Sequence, residues 1–186
     1  MLDRSTKIFH NMDTSLDKVP CKKNTFFKSC KKYIFIEQKI HWLLNNMVKL
    51  TAKGSLLVFV TRKADSVGVH EECKKHGFKT GLIHGDMHQA ERNDVIAMFK
   101  QQKVNTLIAT DVAARGLDIS HIKTVINYDP ARNADTHVHR VGRTARAGNK
   151  GDAISLLTPQ DAEYAAIIVK SIETTKQVFY EYDLAW

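Results

Sequence analysis

The stretch KTGLIHGDMHQAERNDVIAMFKQQKVNTLIA, residues 79–109, holds two short apolar runs, Lys79–Ile83 and Val104–Ala109, on either side of an amphipathic segment. Each run has the length and the aliphatic or β-branched content of a buried strand. Between them Val95, Met98 and Phe99 cluster on one face of a helix expected over 88–99. Strands joined through a helix run parallel, because a crossover is needed to return the chain to the same edge.

The same alternation continues in both directions. Further strand runs are Tyr33–Ile36, Leu56–Val60, Thr124–Asn127 and Ala153–Leu157. A helix over 63–76 carries Ala64, Val67 and Cys73 at helical spacing, with Gly77 as its stop. Another over 159–173 starts on Pro159 and carries Ala162, Ala165, Ala166, Ile168, Val169 and Ile172. Alternating strands and helices specify an α/β domain with a mostly parallel sheet covered on both faces. Right-handed crossovers then gather the strand-to-helix loops at one edge, where such sheets bind ligands.

The 186 residues suit one domain and carry a net charge of +8. Such an excess fits a polyanionic partner. Residues 1–32, with Lys22, Lys23, Lys28, Lys31 and Lys32 among their cations, hold +5 of it and read as a basic, flexible lead-in. The domain is expected over 33–176 and a short tail over 177–186. The three cysteines, Cys21, Cys30 and Cys73, form no CxxC pair, so neither a disulfide framework nor a metal site is expected, and the compartment is a reducing, intracellular one. No apolar stretch approaches membrane-spanning length and no secretory signal opens the chain, so no membrane association is expected.

Three loops carry the chemistry. His84-Gly85-Asp86 follows a strand and leads to Gln89 and Arg92, three apart on the next helix; a helix cap with ordinary surface polars explains them equally well. Thr110-Asp111-Val112-Ala113-Ala114-Arg115-Gly116-Leu117-Asp118-Ile119 places a hydroxyl, two carboxylates, a guanidinium and a glycine turn at a strand end, more than a capped short helix needs. In His139-Arg140-Val141-Gly142-Arg143-Thr144-Ala145-Arg146-Ala147-Gly148, arginines recur every third residue, so on a helix they share a broad face suited to phosphate. The small residues between them fit close approach better than a solvated face.

Together, TDVAARGLDI at 110–119, HRVGRTARAG at 139–148, HGDMHQAER at 84–92, SLLVFVTRK at 55–63 and VINYDPARNADTHVHR at 125–140 resemble, in order, the second-lobe motifs of the DEAD-box ATP-dependent RNA helicases. The likeness runs from Tyr33 to Lys176 and is closest to the forty-two type, a nuclear, splicing-linked branch. It implies a RecA-like three-layer sandwich, the single C-terminal lobe of a helicase. Arg143 and Arg146 would be arginine fingers on the γ-phosphate of ATP, and Asp118 and Gly116 would bind the nucleotide. His139, Arg140 and Asp111 would couple the nucleotide to RNA. Arg62, Gly85, Gln89, Arg92 and Thr110 would hold RNA through contacts largely blind to sequence. The implied partners are RNA, a first RecA-like lobe and spliceosomal proteins; the implied location is the nucleus ahead of the cytoplasm.

Some residues depart from the family pattern. Ala145 stands where the family has glycine, and its methyl is expected to crowd the fingers. Arg62 takes a threonine slot, with Thr61 one position early, and Pro130 directly follows Asp129. The 186 residues contain no GxxxxGK[ST] loop and no Asp-Glu-Ala-Asp segment. Mg²⁺ would therefore be held mainly by the first lobe, and the chain alone would not hydrolyse ATP. An RNA- or protein-binding module that retains the helicase fold is the alternative reading, and a DNA helicase lobe fits less well.

Overall fold

The computed structural model describes residues 4–9, 36–114, 116–117, 119, 121–145, 151–174 and 178–182. Its strands are β1 (Arg4–Phe9), β2 (Ser55–Phe59), β3 (Thr80–Ile83), β4 (Thr106–Ala109), β5 (Ile122–Asn127), β6 (Gly151–Leu156) and β7 (Val178–Tyr182). Its helices are α1 (Ile36–Thr51), α2 (Lys63–Lys75), α3 (Gln89–Lys100), α4 (Asp111–Ala114), α5 (Ala134–Val141) and α6 (Ala162–Thr174), the last entered through a 3-10 turn, Pro159–Asp161. The strands form one sheet in the order β3-β4-β2-β5-β6-β1-β7, and every ladder between described neighbours is parallel.

Side-chain alternation along β2 builds the layers. Leu56, Val58 and Val60 pack against Trp42, Leu43, Met47 and Leu50 of α1 and Val69 and Cys73 of α2. Leu57 and Phe59 point to the opposite face, against Phe99 of α3 and Ala113 and Ala114 of α4. A strand buried on both faces has no need of polar alternation, which is why β2 reads as an unbroken apolar run. The three-layer α/β sandwich is as expected. No helix among the described residues is long and apolar enough to cross a membrane.

Two regions differ from the sequence reading. Ile36 opens α1 rather than closing a strand, and Tyr33–Phe35 lie outside the described residues. A four-residue apolar run cannot be told from a first helical turn, and the spacing of Trp42, Leu43, Met47 and Leu50 is helical. At the far edge, Arg4–Phe9 form a strand between β6 and β7, where a flexible lead-in and an unassigned tail were expected. The partners of Arg4 and Ser5 lie at Gly151 and Val178, so no local pattern could announce the pairing. The remainder of the lead-in, residues 1–3 and 10–32, lies outside the described residues.

Between α5 and α6, His137 is buried with Nδ1 3.2 Å from the Tyr164 hydroxyl, which also accepts the Ala131 N–H at 3.2 Å. Burial, with Arg140 nearby, pulls its pKa down to about 4. A depressed histidine pKa means that the unfolded chain binds the extra proton, so stability is full above the unfolded pKa and falls as pH drops from about 6.5 towards 4. His137→Phe should flatten that part of the profile in urea denaturation followed between pH 7 and pH 4; the parent should lose on the order of 2–3 kcal/mol more than the variant over the same window.

Candidate functional site

The ends of β2 and β4 and the end of α5 enclose a cavity of about 380 Å³, lined in part by Thr61, Thr110, Asp111, Gly116, His139, Arg140 and Arg143. Its floor is one buried cation. Arg140 is 1% exposed and donates from Nε to Asp111 Oδ1 at 2.6 Å and from Nη2 to Asp111 Oδ2 at 2.8 Å. Its Nη1 donates to the Asp129 carbonyl at 2.7 Å and to Asn127 Oδ1 at 3.3 Å, and its guanidinium carbon lies 5.1 Å from the Phe59 ring centroid. This planar, two-pronged pairing suits arginine and not lysine. Asn127 in turn donates to Ser155 Oγ at 3.0 Å, carrying the network across to β6.

Arg140 and Arg143 do not share a helix face. The α5 helix starts on Asn133, whose side chain accepts the Thr136 N–H at 2.8 Å, and ends at Val141 with Gly142 as cap. Arg140 therefore points inward, whereas Arg143 lies beyond the helix end and donates from Nη1 to the Leu117 carbonyl at 2.7 Å. That bond ties the segment after α5 to the loop after α4. Gly116 in that loop has φ +75, a left-handed conformation that favours glycine. Arg115, Asp118 and Arg146 lie outside the described residues.

Thr110 is buried, and its N–H donates to the Ile83 carbonyl at 3.2 Å, joining the ends of β4 and β3. His139 is exposed at the cavity. The residues after β3 make a neighbouring surface instead of lining the cavity. Arg92 donates to Gln89 Oε1 at 3.1 Å and to the Ala113 carbonyl at 3.2 Å, so α3 is fastened to α4. Gly85 is exposed with φ outside the left-handed region and open space where a Cβ would stand, and Asp86 pairs with Lys63 at the start of α2. Arg62, which precedes α2, has an 82% exposed side chain 3.6 Å from Asp65, and lines a different groove. No cluster of three or more His, Cys, Asp or Glu among the described residues is placed to hold a metal ion.

Ala145 has φ +54 and is buried, with its methyl inside the protein. An alanine in the left-handed region is disfavoured, so Ala145 carries a backbone cost. Thr144 holds the turn from the other side: its hydroxyl donates to the Ile122 carbonyl at 2.8 Å, and Gly151 is so close that a Cβ there would lie 2.0 Å from Thr144 Oγ1. Sequence reasoning missed Asn127, Thr144 and Lys39. The first had a visible signal, an amide inside an apolar strand; the other two had none.

Residues 38–148 match the family described as Helicase conserved C-terminal domain. The ATP-dependent RNA helicases DDX42 of Mus musculus and Homo sapiens are each 53% identical over 139 residues, 75% of this chain and 15% of theirs. The DEAD-box ATP-dependent RNA helicase 24 of Arabidopsis thaliana is 43% identical over 141 residues, 75% of this chain and 19% of its own. The chain thus spans less than a fifth of these relatives. Among solved structures, E. coli DEAD-box protein SrmB bound to the regulator RraA superposes with a TM-score of 0.75 at 28% identity, over 96% of this chain and 89% of that one. S. cerevisiae Dbp5 bound to RNA and ADP BeF3 gives 0.74 at 24% identity, over 97% and 42%, a likeness of fold.

Two substitutions test the site's construction. Asp111→Ala leaves the Arg140 cation buried without its carboxylate and should cost about 3 kcal/mol, read as a lower urea midpoint. Ala145→Gly relieves the left-handed alanine and should raise stability by about 1 kcal/mol in the same assay.

Proposed function

The chain belongs to the helicase C-terminal domain family, in its DEAD-box RNA helicase form, and we propose that it works as the lobe that closes over ATP and RNA bound to a first RecA-like lobe. The observation that carries this reading is the Arg140–Asp111 ion pair, which fastens the segment after β4 to the end of α5 at the rim of one cavity. The site holds two kinds of group side by side: cations suited to phosphate, and a glycine turn that lets backbone come close to a ligand.

In this reading Arg143 and Arg146 are arginine fingers directed at the γ-phosphate. Arg143 starts from the Leu117 carbonyl, so it is already held beside the loop containing Gly116 and Asp118, which bind the nucleotide. ATP supplies the phosphoryl group, and Mg²⁺ is held mainly by the first lobe. Phosphoryl transfer depends on positioning and on neutralising charge, so a fixed guanidinium is worth more than a mobile one. Asp111, His139 and Arg140 couple this cavity to RNA. The route is short: Arg92 bonds to the Ala113 carbonyl, two residues along α4 from Asp111.

RNA lies across Thr110, Gly85, Gln89 and Arg92, with Arg62 reaching out from the start of α2. The exposure of Gly85 and of the Arg62 side chain supports this path. Contacts of these types go to phosphates and sugars, so binding is largely independent of sequence and weakens with salt. The work done is duplex unwinding or remodelling of RNA–protein complexes, in the nucleus and with spliceosomal proteins among the partners. The 186 residues alone do not turn over ATP.

The test mixes the chain with a separately expressed DEAD-box first lobe of a forty-two-type relative, with and without single-stranded RNA. ATPase activity stimulated by RNA should require both chains and should fall ~10³-fold in Arg143→Ala. RNA binding that persists without any stimulation would favour a binding module instead.

A further inference from the structure

A groove of about 830 Å³ shares Arg62, Thr61 and Asp129 with the chemistry above, and its other lining residues take no part in it. It runs between the start of α1, α2, the turn after β5 and the 3-10 turn before α6. Its charge is the reverse of the chain's. Asp65, Glu72, Asp129 and Asp161 line it against only two cations, Lys39 and Arg62, in a protein of net charge +8.

Both cations are already engaged, and the carboxylates also have partners, Glu72 with Lys75 at 3.1 Å and Asp161 with Thr158 at 2.7 Å among them, so it is the excess of acidic over basic groups that sets the groove's sign. Lys39 is 4% exposed and donates from Nζ to the Tyr128 carbonyl at 2.8 Å, with Asp129 Oδ1 at 3.7 Å. Arg62 lies beside Asp65. Apolar surface from Ile40, Val69 and Pro130 lies between the carboxylates. Gly68 presents bare helix backbone to the groove, with open space where a Cβ would stand. The Thr61 hydroxyl oxygen, which lines the groove at the boundary with the cavity described above, is buried and has no hydrogen-bond partner.

We infer that this groove is a docking site for a basic, partly apolar peptide segment of a partner protein. Beyond Arg62, an RNA strand would meet carboxylates where it needs cations, so electrostatics selects against the groove as its seat. A lysine- or arginine-bearing segment finds the complementary sign together with apolar surface for the residues between its charges. The volume lies within the range of about 300–1,000 Å³ typical of ligand sites.

The occupant also touches a joint of the fold. Asp129 Oδ2 accepts the Thr61 N–H at 2.9 Å, and the Asp129 carbonyl accepts from Arg140. A peptide seated on Asp129 and Thr61 therefore sits one residue's thickness from the Arg140 network. The inference does not rest on the helicase reading; a partner bound here would act on whatever the neighbouring cavity does.

The probe is a fluorescein-labelled decapeptide alternating arginine and leucine, titrated with the 186-residue chain and followed by anisotropy. Nonspecific charge attraction is disfavoured, since peptide and protein are both cationic. Saturable binding is expected. Gly68→Arg, which fills the groove and adds like charge, and Glu72→Lys should each weaken it about tenfold or more. Arginine is a far better helix former than glycine, so Gly68→Arg should keep or raise the melting temperature, separating lost binding from lost folding. Unchanged affinity in both variants, or no saturable binding by the parent, would overturn the proposal. So would a ten-nucleotide oligouridine whose affinity, rather than the peptide's, drops in Gly68→Arg, because the groove would then serve RNA.

Discussion

A guanidinium with 1% of its surface exposed is an expensive object to bury, and Arg140 is tolerated only because each face of it meets something. Asp111 takes the charge through two bonds, the Asp129 carbonyl and Asn127 take the remaining edge, and Phe59 covers a face. These partners come from the ends of β2, β4 and β5, so satisfying one side chain fixes the relative placement of three strand ends. The cavity rim is a by-product of that requirement. Arg143 reaches Leu117, and Gly116 turns where it does, on a frame that Arg140 has already set.

Much of the architecture was readable from local pattern, for a physical reason. A strand buried on both faces must be largely apolar, and β2 and β4 are, each apart from one hydroxyl residue at its start. The helices between them carry one apolar face each. Once the alternation is parallel, the loops that matter must share an edge, so Thr110, Asp111, Arg140 and Arg143 could be suspected of meeting before any coordinate was known. Periodicity could not say which way an arginine points. The spacing of Arg140 and Arg143 suggests one helical face, but Gly142 ends the helix between them, and one arginine becomes structural while the other stays at the rim.

What escaped the sequence shares one property: it depends on contacts between residues far apart in the chain. β1 becomes a strand by pairing with residues 151–156, and nothing in Arg4–Phe9 names that partner. Lys39 sits on an ordinary amphipathic helix, yet its ammonium is buried against the turn after β5, where burial pushes its pKa down while Asp129 and Asp161 oppose the shift. The departure at Ala145 was visible as a letter, but the strain on its own backbone is decided by φ, which the sequence does not display.

Lys39 and Arg140 together explain why one turn can separate two sites and still join them. Lys39 binds the Tyr128 carbonyl from the α1 side, and Arg140 binds the Asp129 carbonyl from the α5 side. The Asp129 carboxylate holds the backbone N–H of Thr61 at the end of β2. A segment gripped by two buried cations cannot move towards one without leaving the other, and either loss exposes a charge to a medium that solvates it poorly. The turn is therefore held from three sides, with the groove on one side of it and the cavity on the other. The acidic groove and the Arg140 network thus share one residue, Asp129, whose carboxylate holds Thr61 and whose carbonyl holds Arg140.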